Sequence, residues 1–471
     1  MKTFISFAIL GLLALSGCKK QVVENQLPVT DGRSMSALAS SNAPNAEYDS
    51  SKQKDTLKGN YTAPLHLGNN KIWYLDGVVS VSNTNITIDA GTIIVGLNPR
   101  STDGKNPGML LIGGTATITA NGTADNPIIF TSKYLVDGNT GTKALPSDFG
   151  GLVILGQAPG SMYKPSLYVA KTTADDVVQF AFGGRNPAHS SGQLSFIRLE
   201  YAGFDGNTRT VPIGVFYYAG DAFTCFSVGS GTKIDHIECA NSKRTSFRFA
   251  GGTVDASFLI SVDHTTNGFW LSDAYTGMLS YGVSLAGNNQ RAGGTGLAVT
   301  PKWSTELVST DPPGTTRIDH FTIAGIDKDR STYVNLSAAI YHRQPDIPFE
   351  LTNSILMGYD YAFTDIYYYK RSQSLKATGN IFCNTLFKPD VVTSVPWLCA
   401  DGKNKRYTNA VNSNGFTRIR QPFLRLGDVN LVPLSVSPAN EGTTNQAGAF
   451  NDYSRPVSKW ANTQNWYKLY Y

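Results

Sequence analysis

Charged residues are scarce in this chain of 471 residues: they make up 16% of it, with 40 basic and 35 acidic side chains. This shortage excludes a coiled coil or long helical bundle, which would be rich in Ala, Glu, Lys, Leu and Arg. A net charge of +5 over such a length also argues against a partner made of nucleic acid. Hydrophobic residues reach 41%, which excludes wholesale disorder because they can support a large core.

Long apolar runs are also missing, except at the N-terminus. Phe4 to Leu15 is nearly all apolar and follows a basic Lys2. The run is shorter than the 20 or so residues that span a bilayer but has the length of a secretory signal. It ends in Leu15-Ser16-Gly17-Cys18, which resembles the lipobox of bacterial lipoproteins. That resemblance implies cleavage of residues 1–17, a diacylglycerol on Cys18 and an acylated new N-terminus. A plain secretory signal is the alternative.

The next segment, residues 18–60, is predicted to be a lipidated and disordered tether. It is rich in Ser, Asn, Ala, Gln and Lys and lacks sustained periodicity. Such a composition cannot bury enough surface to offset the entropy of ordering. A tether of about 40 residues would hold the folded domain roughly 35 Å from the membrane on random-coil scaling.

From residue 61 to residue 471 we predict one domain, with an irregular C-terminal end from about residue 385. Its first half contains short β-rich runs such as Ile86-Thr87-Ile88 and Ile128-Ile129-Phe130, separated by turn sequences such as Ala120-Asn121-Gly122. The phrases Thr232–Ile237 and Thr316–Phe321 are nearly identical and lie four periods of about 21 residues apart. A period of this length predicts stacked coils, and three short strands per coil predict a parallel β-helix. A series of two-sheet sandwiches is the alternative.

The chain resembles a family of Gram-negative secreted proteins and lipoproteins with a right-handed parallel β-helix, mostly of unassigned function. The matching phrases lie at Lys71–Val79, Ile86–Thr92, Ile118–Thr123, Asn126–Ser132, Gly150–Gly156, Ile197–Gly203, Gly229–Thr232 and Phe249–Val254. The resemblance implies a fold and a location in the cell envelope, and no set of catalytic residues. An acidic run that is common in the family after the last phrase is absent here, so we carry over no calcium site.

Acidic groups suited to sugar chemistry are few. Glycoside hydrolysis needs two carboxylates about 5 to 9.5 Å apart. The available material is Asp175-Asp176 and the pair Arg198 and Glu200, which share one face of a strand and are expected to form a surface ion pair. Asp-His recurs at residues 235, 263 and 319, but adjacent strand residues face opposite sides, so we expect no metal site.

Five cysteines are present, one of them Cys18. The remaining four allow three pairings in an exported chain. We predict a Cys383–Cys399 disulfide, because it would close an irregular excursion and stabilise the fold by about 3 kcal/mol on the chain-entropy model. Cys225 and Cys239 are left as buried thiols of the core.

An aromatic segment follows residue 358. Tyr359, Tyr361, Phe363 and Tyr367 share period-two spacing, so one strand face could present a flat row for a glycan or a protein. Burial of the same row in the core is the alternative.

Together these observations predict a non-catalytic lipoprotein of the outer membrane that presents a β-helix surface for adhesion or for binding a glycan or surface protein. The lipid anchor would be its link to the membrane, and the membrane face stays open. A carbohydrate-active β-helix enzyme, either a polysaccharide lyase or a hydrolase, is the alternative. We expect no cofactor.

Overall fold

The computed structural model describes residues 48–99, 106–161, 165–170, 177–205, 215–218, 220–287, 294–300, 314–325, 338–343, 347–359, 361–364, 375–383, 404–407, 419–421, 430–433 and 447–449. The described residues form strands joined by tight corners, with one 3₁₀ turn at Lys133–Leu135. Short runs rich in Val, Ile, Leu and Phe form these strands because such side chains pack well on a pleated, buried surface.

The strands are β1 (Gln53–Tyr61), β2 (Leu65–Leu67), β3 (Lys71–Val81), β4 (Asn85–Ile88), β5 (Ile93–Gly96), β6 (Met109–Ile112), β7 (Thr117–Asn121), β8 (Ile128–Ser132), β9 (Leu152–Leu155), β10 (Ser166–Ala170), β11 (Val177–Ala181), β12 (Gly192–Glu200), β13 (Val215–Tyr217), β14 (Phe223–Phe226), β15 (Lys233–Ala240), β16 (Phe247–Ala250), β17 (Ala256–Val262), β18 (Asn267–Ser272), β19 (Met278–Leu285), β20 (Thr295–Val299), β21 (Thr316–Asp319), β22 (Thr322–Ala324), β23 (Ala338–His342), β24 (Phe349–Thr352), β25 (Ile355–Met357), β26 (Tyr361–Thr364), β27 (Leu375–Thr378), β28 (Ile381–Cys383), β29 (Lys405–Tyr407), β30 (Ile419–Gln421) and β31 (Asn430–Pro433).

Most of these strands build three parallel ladders, which we call sheets A, B and C, while β30 and β31 form an antiparallel pair. Sheet A runs through β2, β4, β7 and the first halves of β12, β15, β17 and β19 to β21, β24 and β27. Sheet B includes β5, β8, the second halves of the same long strands, β22, β25, β28 and β29. Sheet C joins the end of β3 to β6, β9, β14, β16, β18, β20, β23 and β26. Each coil visits the three sheets in turn, which confirms the predicted parallel β-helix. The sandwich alternative is wrong, because neighbouring coils run parallel.

The repeated phrase of the sequence occupies one register. Asp235 and Asp319 lie in the same outward row of sheet A, and His236 and His320 follow them at the same corner. The two phrases are three coils apart, through β15, β17, β19 and β21, and not four as predicted. A long connection that contains β20 separates β19 from β21 and lengthens the third interval.

The core is the stack of inward side chains from all three sheets. It contains ladders of Ile, Leu, Val, Phe and Ala, including Ile118, Leu194, Ile234 and Leu279, which are buried. Cys225 and Cys239 belong to this core as buried free thiols. Burial raises the pKa of both thiols, so they behave as small apolar side chains. Cys399 lies outside the described residues, so its pairing with Cys383 stays a prediction.

At the corner between sheets A and B, half-buried rings stack on the outside of five successive coils. Phe196, His236, Phe258, Tyr281 and His320 all have a positive φ, between 51° and 56°. Neighbouring ring centroids are 4.3, 4.5, 5.2 and 4.8 Å apart, with nearly parallel planes. The left-handed corner conformation is unfavourable for residues other than glycine, and the stacking offsets its cost.

This corner also overturns the expectation that Asp and His of one dipeptide face opposite sides. His236 Nδ1 lies 2.6 Å from Asp235 Oδ1, and His320 Nδ1 lies 2.7 Å from Asp319 Oδ2. The positive φ of each histidine ends the strand alternation, so the ring turns back toward the preceding carboxylate. Each carboxylate therefore orients a ring of the stack.

The tether predicted for residues 18–60 is wrong at its C-terminal end. Gln53–Tyr61 forms strand β1, which pairs with β3, and Tyr48 is buried against the domain. Residues 1–47, including Cys18, lie outside the described residues, as does most of the predicted irregular end from residue 385. In the described part of the chain, no helix has the length and apolarity needed to cross a membrane.

We predict that His236→Ala lowers the free energy of unfolding by about 1–3 kcal/mol, because the ring stacks against Phe196 on one side and Phe258 on the other. His236→Phe keeps both ring contacts and should cost less than half as much. His66→Ala, an exposed histidine on β2, is the control. Chemical unfolding measures all three, and equal losses for His236→Ala and His66→Ala would contradict a stabilising stack.

Candidate functional site

A small accessory sheet covers part of the outside of sheet C. Its strands β10, β11 and β13 leave the coil path on either side of β12, and β10 pairs with both of the others. The strands beneath it, such as β6 and β9, are apolar on both faces, which is typical of strands covered on both sides. The shared cluster contains Met109, Leu111, Val153, Leu155, Leu167, Val169, Phe182, Phe204, Phe216, Tyr218, Phe226 and Ala250.

Where β11 ends, the accessory sheet and the corners after β3, β6 and β9 enclose an open groove of about 810 Å³. Its lining is mostly glycine, amide and hydroxyl residues: Ser82, Asn83, Gly113, Gly114, Thr115, Gln157, Gln179, Phe180, Ala181, Phe182, Gly183, Gly184, Arg185 and Asn186. Among these described lining residues, Arg185 carries the one charge. We call this site the amide groove.

The polar side chains of the amide groove belong to neighbouring coils and to β11. Thr115 Oγ1 donates to Asn83 Oδ1 across one corner, and Gln179 Nε2 donates to Ser166 Oγ at 2.9 Å on the opposite wall. Amides offer both donors and acceptors, so they can pair with ligand hydroxyl groups in either direction. The half-buried ring of Phe180 adds an apolar surface beside them.

The wall from Phe182 to Asn186 is held by backbone hydrogen bonds. Gly183 N–H donates to Gly156 O at 2.8 Å, Gly184 N–H to Ala158 O at 3.2 Å, and Asn186 N–H to Gln157 O at 3.1 Å. A Cβ on Gly184 would lie 2.5 Å from Gln157 O, so glycine is needed for this close approach. The groove is therefore largely pre-formed, as small-molecule sites usually are.

Charged residues are also buried beneath the accessory sheet. Arg248 Nη1 lies 3.3 Å from Asp221 Oδ2, and both residues are at most 2% exposed. The guanidinium Cζ lies 4.0 Å from the ring centroid of Trp270. Such pairing and stacking are what a buried guanidinium requires. These groups stabilise the interface and do not reach the groove.

Asp273 lies at the corner after β18, next to the segment that leads into the accessory sheet. Ser161 Oγ donates to its Oδ1, and Ser161 N–H donates to its backbone carbonyl at 3.3 Å. Its Oδ2 and the nearby Ser227 Oγ are buried and have no hydrogen-bond partner among the residues that the structure describes. Burial raises the pKa of Asp273 to about 7, against a lowering effect of Ser161 and Arg248. Asp273 is thus a buried carboxyl group that titrates near neutral pH.

Two of the four rings in the aromatic row predicted from the sequence do not reach the surface. Tyr359 and Phe363 are fully buried in the main core, and Tyr361 is half-buried. Tyr367 lies outside the described residues. Two of the four rings therefore belong to the core, as the alternative interpretation of the row predicts. None of the three residues of the row that the structure describes lines the amide groove.

The acidic residues considered for sugar chemistry are described in part by the structure. Arg198 and Glu200 do share a strand face and form an ion pair, with Arg198 Nη2 2.9 Å from Glu200 Oε1. The expectation of a surface pair is wrong, because Arg198 is 3% and Glu200 0% exposed beneath Tyr48. Asp175 and Asp176 lie outside the described residues. Within the part of the chain that the structure describes, no cluster of three His, Cys, Asp or Glu side chains could hold a metal ion.

Sequence reasoning missed the amide groove, although two signals for it were present. The uninterrupted apolar runs Met109–Ile112 and Leu152–Leu155 indicate a sheet covered on both faces. The glycine pairs Gly113-Gly114 and Gly183-Gly184 mark places where backbones approach closely. Neither signal says which corner the accessory sheet leaves open.

Comparison with known proteins gives one family. The family model described as a pectate-lyase-like β-helix domain matches residues 59–414, about three quarters of the chain. The search of curated proteins and the search of solved structures each found no match.

We predict that Asp273→Asn weakens the pH dependence of stability. With a pKa near 7 in the folded state and 3.8 in the unfolded state, Asp273 stabilises the fold fully below pH 4 and loses this contribution as the pH rises through 7. Between pH 5 and pH 8 the loss is about 2–3 kcal/mol by linkage.

Chemical unfolding at both pH values measures the effect, with Asp125→Asn, an exposed aspartate, as the control. The difference in unfolding free energy between the two pH values should shrink in Asp273→Asn and stay unchanged in the control. An unchanged difference in Asp273→Asn would contradict the prediction.

Proposed function

This chain belongs to the family of pectate-lyase-like β-helix domains, and from that premise we propose that it is a non-catalytic lipoprotein of the cell envelope that binds a glycan in the amide groove. The β-helix provides a rigid scaffold. The groove provides the chemistry for recognition, and a lipid on Cys18 would provide the link to the membrane.

The observation that carries the proposal is the composition of the groove. Its lining combines amides from Asn83, Gln157 and Gln179 with hydroxyl groups and a half-buried ring. Glycans present many hydroxyl groups together with apolar C–H faces, so amides and an aromatic edge are matched to them. The open shape suits a chain that passes through and not a small molecule that is enclosed.

The same composition supports binding over hydrolysis. Hydrolysis of a glycosidic bond requires two carboxyl groups that flank the bond. The described lining residues of the groove include neither Asp nor Glu. The ion pairs of Arg198 with Glu200 and of Arg248 with Asp221 are buried and engaged with protein groups. Their contacts support a structural role.

The anchor proposal rests on the sequence Leu15-Ser16-Gly17-Cys18 and on where the folded part begins. The buried side chain of Tyr48 shortens the predicted tether to about 30 residues, which span about 30 Å as a random coil. The groove uses corners of early coils, so the ligand would be held near the outer membrane.

To test the groove, we expect the double variant Gln157→Ala, Gln179→Ala to bind its glycan about tenfold more weakly, because two hydrogen bonds are lost. The mature chain with Cys18→Ser is first screened on a glycan array, and the affinity for each bound glycan is then measured. Gln193→Ala, an exposed glutamine on sheet A, is the control and should bind normally.

Two results would contradict this proposal. Equal affinity of the double variant and the control would remove the groove from the function. Release of shortened or unsaturated products from a bound polysaccharide would replace binding with the enzymatic alternative.

We further predict that Cys18→Ser moves the protein from the membrane fraction to the aqueous fraction, because it removes the acylated residue. Cell fractionation with and without detergent measures this. Cys399→Ser should remain in the membrane fraction. A wild-type protein released from intact envelopes without detergent would contradict the anchor.

A further inference from the structure

At one place on the outward face of sheet B, a side chain from outside the coils covers two charged residues. Arg198 and Glu200 point outward from β12, as their spacing predicts, yet they are buried. Tyr48 contacts both of them; it precedes the first strand and is 4% exposed. Outward polar residues are thus enclosed by a residue that belongs to no strand.

The hydroxyl of Tyr48 is held from two sides. It donates to Glu200 Oε2 at 2.6 Å and accepts from Arg198 Nη2 at 2.9 Å. Thr131 Oγ1 donates to the same carboxylate oxygen at 2.7 Å. Burial and the charge of Glu200 raise the pKa of Tyr48, so its hydroxyl stays protonated and remains a donor. A carboxylate that accepts and a guanidinium that donates form a complete recognition pair for one hydroxyl group.

The ring of Tyr48 lies in an apolar pocket. The cluster around it consists of Ile72, Ile93, Val95 and Val136, with Tyr74, Ile129 and Leu135 at its edge. The site therefore has an apolar wall for an aromatic ring and a polar base for its hydroxyl. This combination fits a phenol better than a sugar, which would leave the apolar wall poorly filled.

The segment that carries Tyr48 is otherwise loosely attached. Asp49, Ser50 and Ser51 are exposed. The hydrogen bonds of Ser51 go to Asp49, within the segment itself. Lys52 Nζ donates to Asn69 O at 2.9 Å, an exposed contact. Between Tyr48 and the start of β1 at Gln53, Tyr48 is therefore the residue whose side chain is buried in the domain.

The base of the pocket does not depend on Tyr48. Arg198 Nη2 contacts Glu200 Oε1 directly at 2.9 Å, and Thr131 binds the other carboxylate oxygen. Removal of the tyrosine would therefore leave Arg198 and Glu200 paired with each other, and neither would become an isolated buried charge. The pair could then bind another hydroxyl group.

We propose that Thr131, Arg198 and Glu200, with the apolar wall around Ile93 and Val95, form a binding pocket for an aromatic hydroxyl group. In this structure the chain's own Tyr48 fills it as an exchangeable plug. The class of ligand is a peptide that presents a tyrosine side chain. The specific ligand that we propose is the segment around residue 48 of a second copy, because the Tyr48 of the same chain already occupies the pocket.

The test begins with Tyr48→Ala, which empties the pocket, and uses p-cresol as the probe. We expect p-cresol to raise the melting temperature of this variant with a Kd at or below about 1 mM, and to leave the wild type unchanged. Toluene has the same ring without the hydroxyl and should bind at least about tenfold more weakly, because two charge-assisted hydrogen bonds are missing. Equal effects of the two probes would overturn the proposed recognition of a hydroxyl.

Exchange is tested with Tyr48→Phe, which keeps the ring in place and does not depend on survival of the emptied pocket. A fluorescent, N-acetylated peptide of residues 48–54 is added to wild type, Tyr48→Phe and Tyr48→Ala. We expect the peptide to bind Tyr48→Ala most tightly and Tyr48→Phe next, since a plug without its hydroxyl is easier to displace. The same peptide with phenylalanine in place of its tyrosine is the control.

Two outcomes would overturn the plug. One is that the peptide binds none of the three proteins, although Tyr48→Ala retains the circular dichroism of the wild type. The other is that peptide binding does not depend on the tyrosine of the peptide. Glycan binding in the amide groove is measured on the same variants and should not change, which separates a failure of this pocket from a failure of the proposed function.

Discussion

The contact on which this fold depends is that of each inward side chain with its equivalent in the next coil. In sheet A, one such ladder contains Ala120, Leu194, Ile234, Ala256 and Leu279, which follow one another and bury each other's surface. No coil can bury its own apolar residues, so the structure is stable only as a stack. The parallel register follows from the same contact, because a shift by one residue would turn every apolar side chain to the outside. Insertions are therefore accommodated at corners, as where the strands of the accessory sheet leave the coil path before and after β12.

The corners carry the backbone strain that this stacking produces. At the corner between sheets A and B, five successive coils use a residue other than glycine with positive φ, and its ring stacks on the ring of the next coil. Elsewhere glycine is required: Gly192 has a φ of 114°, and a Cβ there would overlap the carbonyl of Ile118 in the coil below. Stacked rings present their edges and hide their faces from solvent. This external stack consequently stabilises neighbouring coils, and the three inner rings of the stack have both faces covered by other rings.

The sequence predicts the coil much better than it predicts the site. The phrases around His236 and His320 are alike because both fill the same corner, so repetition was sufficient to predict stacking and register. Repetition could not reveal that three coils and not four separate them, because corner insertions change the spacing without changing the ladder. The surface of the protein is even harder to predict from the sequence than the number of coils. Period-two spacing correctly placed Arg198 and Glu200 on one face, but it says nothing about what covers that face, and Tyr48 lies 150 residues away along the chain.

A β-helix leaves three long outer faces, and the fate of each outer residue depends on what the chain folds back over it. The accessory sheet covers the apolar outer face of β6 and β9, and in doing so encloses Arg248 and Asp221. Tyr48 covers the outer face of β12. On a coil without these covers, such outward charged residues would be exposed and would be candidates for catalysis. Beneath the covers they are buried and form ion pairs. The polar side chains of the amide groove lie where a cover ends. The centre of the accessory sheet buries the pair of Arg248 and Asp221, because a sheet packed on a coil covers the residues beneath it. The edge of the same sheet at β11 forms one wall of the amide groove.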